Sequence, residues 1–268
     1  MISPDTDPSG SIAPEPPKTR FLLEVAIASV EDAEAAEAGG ADRLELNGAL
    51  SLGGLTPSLG ALIEVRRATR LPLLAMLRPR PGAFCYSPAE YRVLVRDLDL
   101  LLSHGADGIV FGILNEDATV DRIRCRDVVR QAAHHPVVFH RAFDLTPEAT
   151  HALEILIDLG ICRVMTSGQQ RSALAGARAI ASLVRLAAGR IEILPAGGIN
   201  SDNVVELLEQ TCCAQVHGGL RGSGRDPSGL GRPEIDFSTR PLPPDLYERT
   251  DGALVRRLRH AIDTLGNG

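Results

Sequence analysis

Short apolar segments rich in β-branched residues alternate along the chain with segments that have the spacing of amphipathic helices. This alternation predicts repeated βα units and a parallel sheet. Eight segments have the strand character, and each is followed by a helical segment. The predicted strands are Leu22–Ile27, Arg43–Leu46, Pro72–Leu77, Gly108–Leu114, Pro136–Phe139, Arg163–Met165, Ile191–Leu194 and Ala214–Val216.

Local signals indicate where several helices begin and end. Ser87-Pro88-Ala89-Glu90 has the order of a capping box with proline at the first helical position. Glycines such as Gly39 and Gly105 follow helical segments, as is common after a helix C-terminus. His134 and His135 precede the fifth strand, and we interpret them as residues that favour the end of a helix.

Eight βα units are compatible with a (β/α)₈ TIM barrel or with a doubly wound α/β sheet. Polar residues follow most of the strands, which favours the barrel, because all strands of a barrel contribute to one mouth. An open sheet would instead gather its ligand site at one switch point. We therefore predict a single TIM-barrel domain over residues 21–268. The proline-rich residues 1–20 are predicted to be a disordered tail.

Charged residues on and after the strands are the candidates for chemistry. A lone charge packed against the helix layer would be costly, so Glu24, Glu45 and Arg78 are predicted to face the barrel mouth. There they could pair with each other as a structural network or act on a ligand. Carboxylates and imidazoles at one opening suit acid–base chemistry, while arginines suit anion binding. The candidate catalytic residues are Glu24, Glu45, Arg78, His140, Arg141 and Asp144.

The loops after the last three strands carry glycines and hydroxyl groups. In the segment 196–202, two adjacent glycines would let backbone N–H groups approach an anion, and a helix N-terminus follows. Barrels often hold phosphate at this position, although two glycines could also serve only a tight bend. The candidate anion-binding residues are Thr166, Ser167, Gly168, Gly197, Gly198, Asn200 and His217.

Metal-binding signals are weak. The five cysteines have no Cys-x-x-Cys spacing, and Cys212 and Cys213 are adjacent, so their side chains should diverge. A hard or borderline metal could be held by carboxylates and imidazoles at the mouth. The residues available for it would be Glu24, Glu45, His140 and His217. The pattern does not identify the metal.

Composition limits the classes of partner. The 28 basic and 34 acidic residues give a formal net charge of −6, and only 3% of residues are aromatic. A nucleic-acid binder or a protein of anionic membrane surfaces would need a basic face, and base stacking needs aromatic rings. No apolar segment is long enough to cross a bilayer, and no signal peptide is evident. We expect a cytoplasmic protein whose partner is a small anion, without nucleic-acid or membrane partners.

Several longer motifs recur in order over residues 21–218. They are Leu23-Glu24-Val25, Ala35–Leu46, Gly53–Ser58, Met76–Arg80, Gly105–Gly112, Phe139–Asp144, Thr166–Gly168 and Pro195–Asn200. Together they resemble the CutC family, named for copper homeostasis. The resemblance implies a TIM barrel, a cytoplasmic location, a homodimer or higher homo-oligomer, and copper as the suggested metal.

Two positions at which some members of the family carry cysteines have other residues in this chain. Some members carry cysteines after the Glu-Leu of the second strand and near the end of the first strand. This chain has Asn47 and Ala26 there, which leaves Met76 as the soft donor near the mouth. Since Cu(I) prefers thiolate and thioether ligands, we expect weak Cu(I) binding.

Three functions are therefore open: copper handling, acid–base catalysis of the lyase or isomerase type on a small anionic or phosphorylated metabolite, and sensing of such a metabolite. In the catalytic hypothesis, Glu24 or Glu45 is the base and His140 is its acid or base partner. The glycine-rich and arginine-rich segment 218–244 could be a lid over the mouth or a flexible connection. A final helix is predicted over Asp245–Leu265.

Overall fold

The strands form a ring of parallel neighbours. The computed structural model describes residues 20–232, 234–235 and 242–265. In these ranges eight parallel strands lie in the order β7-β6-β5-β4-β3-β2-β1-β8, and a bridge between Ala196 and His217 joins β7 to β8. This confirms the predicted TIM barrel. The strands are β1 Leu22–Ile27, β2 Arg43–Leu46, β3 Leu73–Leu77, β4 Gly108–Phe111, β5 Val137–Phe139, β6 Arg163–Thr166, β7 Glu192–Pro195 and β8 Gln215–Gly218.

Helices between the strands form the outer layer. The predicted capping box is present, because the Ser87 hydroxyl accepts from the Glu90 amide while the Glu90 carboxylate accepts from the Ser87 amide. His134 and His135 lie beyond the fourth helix, whose C-cap is Ala133, and Nδ1 of His135 lies 3.3 Å from the backbone oxygen of Asp107, so the predicted role at the helix end is not seen for His135. The helices of the described residues are α1 Val30–Ala38, α2 Leu59–Ala68, α3 Pro88–Ser103, α4 Arg122–Ala132, α5 Ala149–Asp158, α6 Ala177–Ala187, α7 Val204–Thr211 and α8 Gly252–Leu265.

Alternation along the strands separates an apolar outer face from a mixed inner face. The outward side chains, such as Leu23, Val25 and Leu44, join the large core between the strands and the helices. The inward faces carry smaller apolar clusters, one of which contains Met76 and another Met165. Glu24 and Glu45 are also buried on the inner face. The strand period therefore directs these carboxylates into the barrel.

The segment after β8 differs from the prediction. Two antiparallel strands, β9 Arg221–Arg225 and β10 Leu246–Thr250, form a hairpin, and a 3₁₀ helix spans Pro227–Gly231. The predicted helix over Asp245–Leu265 is wrong in its first turns, because residues 246–250 pair with β9 and α8 begins at Gly252. The predicted tail, apart from Arg20, lies outside the described residues, as does part of the 218–244 segment.

A membrane-spanning helix was not expected. Within the described ranges, no helix combines the length and the apolar character that crossing a bilayer requires.

Candidate functional site

A cavity of about 620 Å³ lies at the C-terminal ends of the barrel strands. A cavity of this size suits a small organic ligand. Seven of the predicted site residues line it, and they come from five of the eight strand ends. They are Glu45, Arg78, His140, Arg141, Gly197, Gly198 and His217.

The remaining six predicted residues do not belong to the cavity wall. They lie behind the wall or beside it, and their polar atoms are largely engaged with other parts of the protein, as described below. They are Glu24, Asp144, Thr166, Ser167, Gly168 and Asn200.

Glu24 is fully buried inside the barrel and forms an ion-paired network there. One carboxylate oxygen contacts the Nε of Arg43, and the other lies 2.8 Å from Nδ1 of His217. Arg43 also donates from Nη2 to the side chain of Gln215 over 2.9 Å. Burial alone would raise the pKa of Glu24, but Arg43 and His217 lower that pKa to about 2. Glu24 is therefore a fixed anion that orients His217, rather than a group that exchanges protons at neutral pH.

Glu45 differs from Glu24 although both are buried. Its Oε1 accepts from the Asn47 amide over 3.0 Å, while its Oε2 is buried without a hydrogen-bond partner among the described residues. Burial raises the pKa of Glu45, and the charge of His217 opposes that shift only in part. Burial lowers the pKa of His217, but Glu45 and Glu24 outweigh burial and raise it. Both groups thus hold protons more tightly than in water.

Arg78 lines the cavity, but most of its donors are already used. The guanidinium stacks on Phe84 with its central carbon 5.1 Å from the ring centre. It ties the loop after β2 to the loop after β3, while its buried Nε has no hydrogen-bond partner among the described residues. Nη1 and Nη2 donate over 2.6–3.2 Å to the backbone carbonyls of Leu52, Gly53, Gly54 and Gly82.

Asp144 is the centre of a structural network beside the cavity. The Thr166 hydroxyl donates to Asp144 over 2.5 Å, and the Ser167 hydroxyl does so over 2.9 Å. Asp144 also accepts from the Nε of Arg141 over 2.8 Å. The hydroxyls predicted to bind an anion therefore point to a carboxylate instead. The neighbouring Gly168 packs its backbone against Gly176. The network holds Arg141 in place.

The turn after β7 and Arg141 together form a cradle of hydrogen-bond donors. Gly197 and Gly198 have φ of +107° and +71°, in the left-handed region that favours glycine. The Gly198 N–H finds no acceptor within the described part of the chain, whereas the Gly197 N–H belongs to the bridge between Ala196 and His217. A Cβ at Gly197 would lie only 3.3 Å from Nη1 of Arg141, which places the guanidinium directly beside the turn. Asn200 lies outside the cradle, where its side chain accepts from the Asp202 amide and shapes the turn.

Sequence reasoning missed two arginines. Arg43 was treated only as the start of a strand, yet its register opposite Glu24 on the inner face could have identified it as the partner of that carboxylate. Arg221 was considered only as part of a lid. It lines the cavity from β9, donates to Asp32 over 3.0 Å, and has a buried Nη2 without a partner in the described ranges.

The predicted metal set is only partly assembled. Atoms of Glu24, Glu45 and His217 that could ligate a metal lie within 4.8 Å of one another, and His140 is outside this group. Both oxygens of Glu24 are already engaged, and the guanidinium of Arg43 adds a positive charge beside them. These residues fit a proton-holding network better than a cation site.

Comparison with known proteins gives consistent matches. The model of the CutC family matches residues 21–222. A Treponema denticola protein named family protein CutC is 44% identical over 223 residues, which cover 83% of this chain and 91% of that protein. The human copper homeostasis protein cutC homolog is 45% identical over 210 residues, 78% of this chain and 76% of the relative. The crystal structure of CutC from Streptococcus agalactiae superposes with a TM-score of 0.71 at 28% identity, covering 74% of this chain and 98% of that one.

Proposed function

The chain belongs to the CutC family, and from that premise we propose that its barrel mouth binds a small phosphorylated organic anion and moves a proton on it. One observation carries the proposal: an anion cradle and a buried carboxyl group with an unpartnered oxygen line the same cavity. The cradle consists of Gly197, Gly198 and Arg141, and the carboxyl group is that of Glu45. The reaction class is proton transfer of the isomerase or lyase type.

The cradle supports phosphate rather than a neutral group. The Gly198 N–H and the Nη1 of Arg141, which find no acceptor among the described residues, are donors that match phosphate oxygens. The charge of Arg78, which hydrogen-bonds to neutral carbonyls, makes the cavity more favourable to an anion. A phosphate held at the turn after β7 would leave the rest of the ligand in the cavity, towards Glu45 and His217.

Glu45 supports proton transfer because its surroundings favour the retention of a proton. A carboxyl group with a raised pKa is a better general base when ionised and remains a usable acid when protonated. His217, held by Glu24, is the adjacent group with which a proton is shared. A sensor would use the same cavity for binding without turnover.

Inorganic phosphate is expected to bind, and Arg141→Gln is expected to weaken that binding by about tenfold or more, because a charge-assisted donor is lost. Isothermal titration calorimetry measures both affinities. Arg122→Gln is the matched control, since Arg122 pairs with Asp158 on the outer helices. Equal affinities of Arg141→Gln and the wild type, or no binding by the wild type, would contradict the anion site.

Copper handling is the second candidate, because the names of the human and mouse relatives connect them with copper homeostasis. The favouring observation in this chain is that two thioethers, Met76 and Met165, line the cavity, one more than expected from the sequence. They belong to separate apolar clusters, and none of the five cysteines lines the cavity. The donors therefore do not fit a tight Cu(I) site.

Titration of Cu(I) against a competing chelator is expected to give a dissociation constant weaker than about 1 μM, because no thiolate is available. Met76→Leu combined with Met165→Leu should remove most of the remaining binding. Stoichiometric binding with a dissociation constant well below that limit, unchanged by the double substitution, would show that other groups hold the copper.

The cellular setting stays a prediction from the family resemblance. We propose a cytoplasmic protein that forms a homodimer or higher homo-oligomer. Its partner would be the small anion, with no nucleic acid and no membrane. The acidic net charge supports the exclusion of nucleic acid.

A further inference from the structure

His140 lies at the end of β5, and its ring is held on three sides. Nδ1 accepts the backbone N–H of Ala142 over 3.0 Å. The ring of Phe84 lies with its centre 4.7 Å from the imidazole centre. A Cβ at Gly112 would collide with the imidazole, so the backbone just after β4 packs against the ring. His140 therefore has one fixed orientation, with only 4% of the residue exposed.

The contact at Nδ1 determines which nitrogen carries the proton. A nitrogen that accepts an N–H must present its lone pair, so the neutral ring of His140 has its hydrogen on Nε2. Nε2 is buried and has no partner within the described residues. Since His140 lines the cavity, a ligand oxygen is the natural acceptor for this N–H group. Burial and the charge of Arg78 lower the pKa of His140 to about 3, which keeps the ring neutral at physiological pH.

A metal or a proton-cycling role would conflict with this geometry. Binding a metal through Nε2 would require the proton to move to Nδ1. The Nδ1–H would then point at the Ala142 N–H, and two donors would face each other without an acceptor. Acting as a general base would require an imidazolium in a site that already contains the guanidinium of Arg78. The acid or base role predicted for His140 from the sequence is therefore replaced by that of a neutral donor.

We infer that His140 is a catalytic hydrogen-bond donor to a carbonyl oxygen, and that the ligand is a small phosphorylated carbonyl compound. The inference rests on the proposed function, because it takes the phosphate cradle and Glu45 as given. Three cavity groups then match three parts of one molecule: the cradle binds the phosphate, Nε2–H of His140 binds the carbonyl oxygen, and Glu45 faces the carbon beside it.

The chemistry of this arrangement is enolisation. The Glu45 carboxylate removes a proton from the carbon next to the carbonyl, and the C–H electron pair becomes the C=C bond. The carbonyl π pair moves to the oxygen, where the Nε2–H of His140 stabilises the negative charge. Return of the proton from Glu45 to the same carbon restores the carbonyl and completes a proton exchange or, at a stereogenic carbon, an epimerisation, with no oxidant or reductant required.

The first test determines which ring nitrogen of His140 carries the proton in the wild-type protein. Nitrogen NMR of histidine-labelled protein, with the His140 signals assigned from His140→Gln, is expected to show protonated Nε2 and unprotonated Nδ1 from about pH 5 to about pH 9. A proton on Nδ1, or titration of His140 near neutral pH, would overturn the inference. The variant serves only to assign the signals, and the protonation state is read in the wild-type protein.

The second test uses two probes that differ only at the carbonyl: hydroxyacetone phosphate and propane-1,2-diol 1-phosphate. We expect the wild type to bind the ketone about tenfold more tightly than the alcohol. The preference should disappear in His140→Phe and persist in His140→Gln, which retains a donor. Inorganic phosphate should bind all three proteins alike, and His151→Gln, at an exposed position, is the control.

The outcomes separate this inference from the proposed function. If inorganic phosphate does not bind the wild type, the proposed function fails, and this inference with it. If phosphate binds but the ketone and the alcohol bind equally, the role of His140 is overturned and the anion site stands. A ketone preference that survives His140→Phe would also overturn it.

Discussion

Arg43→Met is expected to lower the free energy of unfolding by about 3–5 kcal/mol, since it leaves a buried carboxylate without its cation. The side chain of Arg43 is 7% exposed and that of Glu24 is fully buried. Glu24 would keep His217 as its direct partner and the more distant charge of Arg163, neither of which replaces the lost guanidinium contact. Urea denaturation monitored by circular dichroism measures the loss.

The loss should also depend on pH. Because the folded-state pKa of Glu24 is lowered from 4.5 to about 2, its contribution is present above about pH 4.5 and disappears as the pH falls towards 2. The difference in unfolding free energy between the wild type and Arg43→Met should become smaller as the pH falls from about 4.5 towards 2. Arg190→Met is the control, because Arg190 and its partner Glu154 are 44% and 43% exposed and both can be rehydrated. Equal losses of unfolding free energy in the two variants would contradict the expectation that the buried Glu24–Arg43 ion pair is costlier to break than an exposed one.

Glu45→Gln is expected to slow proton exchange by about 10²–10⁴-fold, the range usual for the loss of a general acid or base. The amide is nearly the same size and can still contact Asn47, but it cannot take up a proton. The measurement is the exchange of the protons next to the carbonyl of hydroxyacetone phosphate in D₂O, followed by proton NMR. Phosphate affinity should be unchanged.

Glu192→Gln provides the control, since Glu192 begins β7 and lies outside the cavity. Exchange by Glu45→Gln at the wild-type rate would remove Glu45 from the chemistry. Binding of phosphate and of the ketone without any exchange by the wild type would identify a sensor, and the catalytic half of the proposal would then be wrong.

The barrel could be predicted because its signals are local and repeated. Each strand is a short apolar run between turn residues, and the period of two already placed Glu24 and Glu45 on one face. The β9–β10 hairpin could not be predicted in the same way. Gly222 and Gly224 weaken the strand signal of β9, and its pairing with β10 joins segments that are distant in the sequence.

At the mouth, the sequence indicated which residues gather there but not what each one contacts. Asp144 and Ser167 both follow strands, yet their hydrogen bonds to each other depend on how two loops fold back. Arg78 was equally suited to an anion or to backbone carbonyls, and only the path of the loops decides between them. The environment of a titratable group is a tertiary property, so the difference between Glu24 and Glu45 required coordinates.

The contact between α1 and the hairpin has a consequence for biosynthesis. Asp32 is 3% exposed and binds the Thr250 amide and the guanidinium of Arg221, which follow it by 218 and 189 residues. A ribosome makes the carboxylate early and its partners late. The first βα unit therefore cannot reach its final packing until residues near 250 have emerged, and the nascent barrel must remain open on that side for most of translation.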